Sequence, residues 1–144
     1  MILTFERNQT FIVRVVMNRS IVIKSLRPEL PNVVKGAEIS EIELFQNEVL
    51  RPILKFQNEV LTSLFISNLK KRDVDFSKMN LNGKIAYVTN VIQKDLGLRN
   101  VLIGMVLGLL TVEEIGQYYQ NETEYRRRIS KMVIDRLADQ LVNG

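Results

Sequence analysis

Six residues, FQNEVL, are written twice between Phe45 and Leu61, the copies eleven positions apart. Eleven residues make about three turns of α-helix, with a drift of only about 20°. In an unbroken helix each letter therefore returns to nearly its own direction. Val49, Ile53, Phe56, Val60 and Leu64 then form one apolar stripe, and Leu50, Leu54, Leu61 and Phe65 form its neighbour. Together they exceed the usual apolar sector of a surface helix, which predicts a central place in a helical assembly. Pro52 stands between the copies. It cannot donate to the Glu48 carbonyl and its ring crowds that group. Either it opens a second helix, where a missing N–H is harmless, or it kinks a single one. The break is the less costly arrangement.

Helical signals continue to the end of the chain. SEIE at Ser40 is a capping box, the hydroxyl accepting from the Glu43 amide while the carboxylate reaches back. Asp73 to Ser77 interrupt the pattern. Leu81, Ile85, Val88 and Ile92 recur at helical spacing, so a helix is expected over about Lys78 to Asp95, with Gly97 as its stop. LRNVLIGMVLGLL is apolar on every side over residues 101–110, which predicts the most buried helix. Gly104 and Gly108 there read as small residues for close helix packing, or alternatively as a groove for a ligand or partner. Thr111 with Glu114 makes a second capping box, and NETE at residues 121–124 a third. The last helix carries Tyr125, Ile129, Met132, Val133, Leu137 and Leu141 on one side. The fold class expected is all-α: a compact bundle of about five helices with short connections.

The leading segment reads differently. TFIVRVVMNRSIVIK is rich in β-branched residues, and Phe11–Val16 and Ile21–Lys24 are expected as one or two short strands around a polar break. Residues 26–39, with Pro28, Pro31 and Gly36, read as a linker. The organisation expected is a β-prone basic leading segment and linker over 1–37 and a helical bundle domain over 38–144. Met17 offers an internal start that would leave residues 1–16 outside the fold.

Chemistry is narrowed by what is missing. The chain has no cysteine and no histidine, which removes thiolate sites, disulfides and every Ser-His or Cys-His arrangement. No catalytic constellation, metal-ligand spacing or phosphate loop is present. No catalytic residue, metal or cofactor is assigned, and the reading leans away from an enzyme. The net charge of +4 arises within residues 1–37, where six Lys/Arg face two acids; the remainder holds fourteen of each sign. A pI near 9.5 is thus weak support for nucleic acid. The longest uncharged run, Asn100 to Val112, falls short of the ~20 residues that cross a bilayer, and no secretory signal is legible. No membrane association and a cytoplasmic location are expected.

Two further features carry possible function. Gln57 falls inside the apolar sector, where an amide must find a partner, because an unsatisfied one costs about 1–3 kcal/mol. It either bonds the backbone of a neighbouring helix or the corner at Leu50–Pro52, or joins Arg51, Lys55 and Asn58 in a polar ligand-binding pocket. There an arginine would hold a carboxylate or phosphate, with Glu48 or Glu59 as a base. EYRRRISKMVIDR is the second feature. Glu122 with Arg126 and Glu124 with Arg128 have the favourable helical spacing, which favours a solvated, internally paired face over a nucleic-acid helix.

LFQNEVLRPILKFQNEVL, KDLGLRNVLIGMVLGLLTVEE and RRISKMVIDRL resemble a family of small helical proteins found chiefly among Bacteroidetes. The resemblance covers about Ser20 to Val142. It implies a helical bundle beginning near Met17 and supplies no activity. Some members carry the label glyoxalase, but that superfamily is built from paired βαβββ units with His and Glu metal ligands, and this chain has no histidine. The expectation is a non-catalytic interaction module with a protein partner, most simply a second copy of itself. Its rivals are a ligand-binding protein or enzyme using the Arg51 and Gln57 pocket, and nucleic-acid binding by the last helix.

Overall fold

Short polar side chains decide where most of the helices start. Ser40, Asn80, Asp95 and Thr111 accept hydrogen bonds from the amides of Glu43, Gly83, Leu98 and Glu114 at 3.2, 2.7, 3.0 and 3.2 Å. Each satisfies one of the donors that a helix N-terminus leaves unpaired. The computed structural model describes residues 18–30 and 39–143, and every regular element among them is helical. In chain order these are α1 (Arg19–Ser25), α2 (Glu41–Phe45), a π turn (Gln46–Leu50), α3 (Arg51–Lys71), a 3-10 turn (Phe76–Lys78), α4 (Leu81–Lys94), α5 (Leu96–Leu107), α6 (Val112–Gln120) and α7 (Glu122–Asn143). No described helix is long and apolar enough to cross a membrane. The all-α bundle expected from the sequence is the observed fold.

Pro52 does not divide the chain. Phe45, Leu50 and Arg51 all keep right-handed helical dihedrals, so residues 41–71 form one continuous helix. The Arg51 amide donates to the Gln46 carbonyl, five residues back. That wider turn, placed just before Pro52, accommodates a ring that would otherwise crowd the preceding turn. The break favoured by sequence is therefore replaced by a π turn.

Strand propensity also gives way. Ile21–Lys24, expected in a strand, lie within α1, whose N-cap Asn18 accepts from the Ile21 amide at 3.3 Å. β-branched residues disfavour a helix only weakly, and tertiary contacts override that preference; here Ile23 is buried. The strand expected over Phe11–Val16 and most of the expected linker lie outside the described residues.

Gly97 does not stop α4. Asp95, with extended dihedrals, ends α4 and caps α5 by itself, and Gly97 belongs to α5. Arg72, at the end of α3, pairs with Asp95. The C-terminus of α3 therefore meets the start of α5, and the two helices run antiparallel.

The core lies among α3, α4, α5 and α7, with α7 in contact with each of the other three and with α6. Leu50, Ile53, Leu54, Leu61 and Phe65 meet Val88, Ile92, Leu102, Ile103, Val106, Ile129, Val133 and Leu137 there. At one end the ring of Tyr125 meets Phe45 at a tilt and stacks on Tyr118, with centroids 4.8 and 6.1 Å apart. One apolar sector remains outside. Phe56 and Val60 of α3 are 44% and 53% exposed, and Val101 of α5 is 51% exposed. The helix expected to be most buried thus keeps an open side. A Cβ placed on Gly104 would touch nothing within 4 Å, so this glycine packs against no neighbouring helix.

Candidate functional site

α4, α5 and α7 enclose a cleft of about 590 Å³. Helical spacing builds its floor and walls. Ile92 and Ile103 sit on the inward faces of α4 and α5 and are almost fully buried, and Ile134 of α7 is half-buried beside them. Arg126, Ser130 and Ile134 recur at four-residue steps on one side of α7, and Arg127 and Lys131 flank them. Arg99, from the first turn of α5, completes a rim of four cations, and Asp135 is the one carboxylate in the lining. The result is an apolar floor under a predominantly positive opening.

The rim cations are held differently. Arg126 donates to the Asn100 side-chain oxygen at 2.6 Å, which draws it across to α5. Arg127 donates to both oxygens of Glu124, at 2.7 and 3.0 Å. Glu124 also accepts from Arg128 at 2.7 Å. Bonds from these two guanidiniums hold the Glu124 carboxyl down at about 2. Lys131 forms no ion pair among the described residues. The Thr89 and Ser130 hydroxyls donate to the Ile85 and Arg126 carbonyls at 2.8 Å, which leaves their oxygen lone pairs available to a donor.

The last helix is therefore only partly the self-paired face expected of it. The Glu124–Arg128 pair forms as the spacing predicts, whereas Arg126 pairs with Asn100 instead of being neutralised by Glu122. Arg99, Thr89 and Ile92 join this site from helices distant in sequence. Only the run of basic residues after Glu124 pointed to it.

Of the four pocket residues expected around α3, only Arg51 lines either cleft. Gln57 donates its side-chain amide to the Met105 carbonyl at 3.0 Å. This is the bond to a neighbouring helix, and it marks the α3–α5 seam. Arg51, Lys55 and Asn58 share a different side of α3; Lys55 is exposed and the Asn58 carbonyl accepts from Thr62 at 2.8 Å. Arg51 faces α7 across a shallower cleft of about 350 Å³ lined by Met132, Asp135, Arg136 and Asp139. Glu48 and Glu59 are exposed and line neither cleft.

A third polar cluster ties α1 to the bundle. Arg27 donates to both Glu114 oxygens, at 2.5 and 2.8 Å, and to the Leu109 carbonyl at 3.1 Å. Arg19 donates to the Gly108 and Leu110 carbonyls at 2.9 and 2.8 Å. Glu114 simultaneously completes the capping box with Thr111. Burial would raise the Glu114 carboxyl, but bonds from Arg27 and from the Thr111 amide outweigh it and hold the group below its usual range. The two arginines close off carbonyls that the end of α5 leaves without helical partners, so this cluster is structural.

Comparison with protein-family models, with curated proteins and with solved structures yields no match to this chain.

Proposed function

We propose that the protein is a cytoplasmic, non-catalytic binding module that takes a small amphipathic anion in the α4–α5–α7 cleft. The single observation that carries this reading is the combination of an isoleucine floor with four cations and one carboxylate around it. The cleft volume is within the range of small-molecule sites, which are mostly apolar with a few oriented polar groups. An alkyl or aryl body would lie against Ile92, Ile103 and Ile134. Its carboxylate or phosphate would meet Lys131 and Arg99, with Ser130 and Thr89 beside them.

Decanoate and decanol provide the test, because they share a tail and differ in charge. In methyl-detected NMR, decanoate is expected to shift Ile92, Ile103 and Ile134 saturably, and Lys131→Gln with Arg99→Gln to weaken it about tenfold or more. Equal binding of decanol, or decanoate shifts confined to other methyls, would overturn the reading.

A second reading has its own observation. Phe56, Val60 and Val101 flank the outer side of the α3–α5 seam, exposed beside the bare backbone at Gly104. This face suits self-association, in which a ridge on one copy enters the hollow of the other. Sedimentation equilibrium of the wild type against Phe56→Glu and Val101→Glu distinguishes the outcomes. A wild type that stays monomeric at high concentration would rule this reading out.

A further inference from the structure

We propose that the shallow cleft between Arg51 of α3 and Arg136 of α7 is a second binding site, taking a single phosphate group of a small ligand. Arg51 and Arg136 line the same cleft, with Met132, Asp135 and Asp139. Among the described residues neither guanidinium belongs to an ion pair. Arg136 is half-buried, and its guanidinium is held below the ordinary arginine range, first by burial and then by the charge of Arg51. A lysine in such a position could relieve the strain by losing its proton. Arginine does not deprotonate in proteins, so the half-buried Arg136 beside the exposed charge of Arg51 favours an anion in the cleft. Two guanidiniums lining one cleft suit a phosphate, whose oxygens can accept from both.

The backbone supplies an independent reason. Arg51 is the first residue after the π turn, and its amide closes the five-residue bond to Gln46. The Gln46 side chain accepts from Arg128 of α7 at 2.8 Å, so both ends of Gln46 anchor the turn that delivers Arg51 to α7. The wider turn changes the angular register of Arg51 relative to an uninterrupted α-helix. Such single-turn π insertions occur frequently at functional sites. Asp135 and Asp139 are exposed and line the same cleft, Asp139 engaged in an interaction of its own. Their charges disfavour an extended polyanion and limit the site to a single phosphate.

Inorganic phosphate is the probe, added to the full chain at constant ionic strength with acetate as comparison. The expected result is saturable perturbation of the Arg51 and Arg136 side-chain N–H resonances by phosphate, with acetate binding at least tenfold more weakly. Arg51→Gln, an exposed substitution that leaves the core untouched, is expected to weaken phosphate binding about tenfold or more, and Arg136→Gln likewise. Lys131→Gln, in the other cleft, is expected to leave it unchanged. Absence of saturation, unchanged affinity in Arg51→Gln, or an equal loss in Lys131→Gln would each overturn the site. Equal affinity for acetate would overturn its assignment to phosphate.

Discussion

Replacing Glu114 with glutamine tests how α1 is held. Glutamine serves as well as glutamate at the third position of a capping box, so Glu114→Gln removes charge while keeping the cap. The Arg27 and Glu114 side chains are only 12% and 10% exposed, and breaking a buried pair costs about 3–5 kcal/mol when the abandoned charge must stay buried. Arg27 need not stay. It belongs to a segment whose helix buries only Ile23, so α1 can detach and carry the guanidinium into water. The loss therefore falls on α1 docking alone. Taking the lower edge, about 3 kcal/mol, the opening equilibrium of α1 rises about a hundredfold. Hydrogen exchange at the Val22 and Leu26 amides, which bond within α1, should accelerate by that factor, while the bundle's Tm stays within about 2 °C. Glu114→Ala also leaves the buried Thr111 amide without its acceptor, a loss of about 1 kcal/mol, and should lower Tm by roughly 3 °C. Acid has the same local effect as the glutamine. Because the folded-state carboxyl is depressed below 4.5, its stabilisation is complete above that value and is lost as pH falls through the lower folded one. Slow exchange of α1 in Glu114→Gln, or a Tm loss as large as that of Glu114→Ala, would show that the pair does not hold α1 in place.

Three further outcomes are expected. Pro52→Ala should destabilise by about 1 kcal/mol in urea unfolding, through lost packing and a freer unfolded chain; a gain near the ~3 kcal/mol of a strained interior proline would mean that the π turn relieves nothing. Gly104→Ala should stabilise by about 0.5–1 kcal/mol, since a mid-helix glycine with open space gains only from the added methyl, and thermal melts comparing it with Gly108→Ala, whose Cβ would lie 3.2 Å from the Gly104 carbonyl, should show the larger benefit at Gly104. Carboxyl-detected NMR should find Glu124 titrating at about 2, and replacing both Arg127 and Arg128 with glutamine should return it toward 4.5.

Helix existence was readable because it rests on local chemistry. Ser40, Thr111 and the stripe of Leu50, Leu54, Leu61 and Phe65 announce starts and faces within a few residues of themselves. Pro52 was harder, because sequence states that a proline needs an exceptional turn without stating which one. The Ile21–Lys24 stretch misled for a different reason: its helix depends on docking at Leu110 and Glu114, roughly ninety positions away. Phe56 and Val60 obey the wheel perfectly and still face outward, since periodicity names an apolar side without counting the helices available to cover it. The candidate sites were least legible. Arg51 was visible as a lone cation beside a proline, but its counterpart Arg136 comes from another helix. The main cleft likewise joins Ile92, Arg99 and Lys131, which no spacing rule connects.

Asp95 has a consequence for how the chain tolerates change in length. One residue serves as the end of α4 and the cap of α5, so the connection has no slack. Each residue inserted there would turn α5 by about 100° relative to α4, swinging Arg99 and Ile103 away from Ile92 while leaving every helix its own sequence. The stretch between Lys71 and Leu81, by contrast, is mostly exposed and can lengthen without moving either helix. Insertions and deletions accumulating in a lineage of such chains should therefore gather after α3 and be absent at Asp95, and a chain lengthened at Asp95 should keep its helicity and lose its cleft.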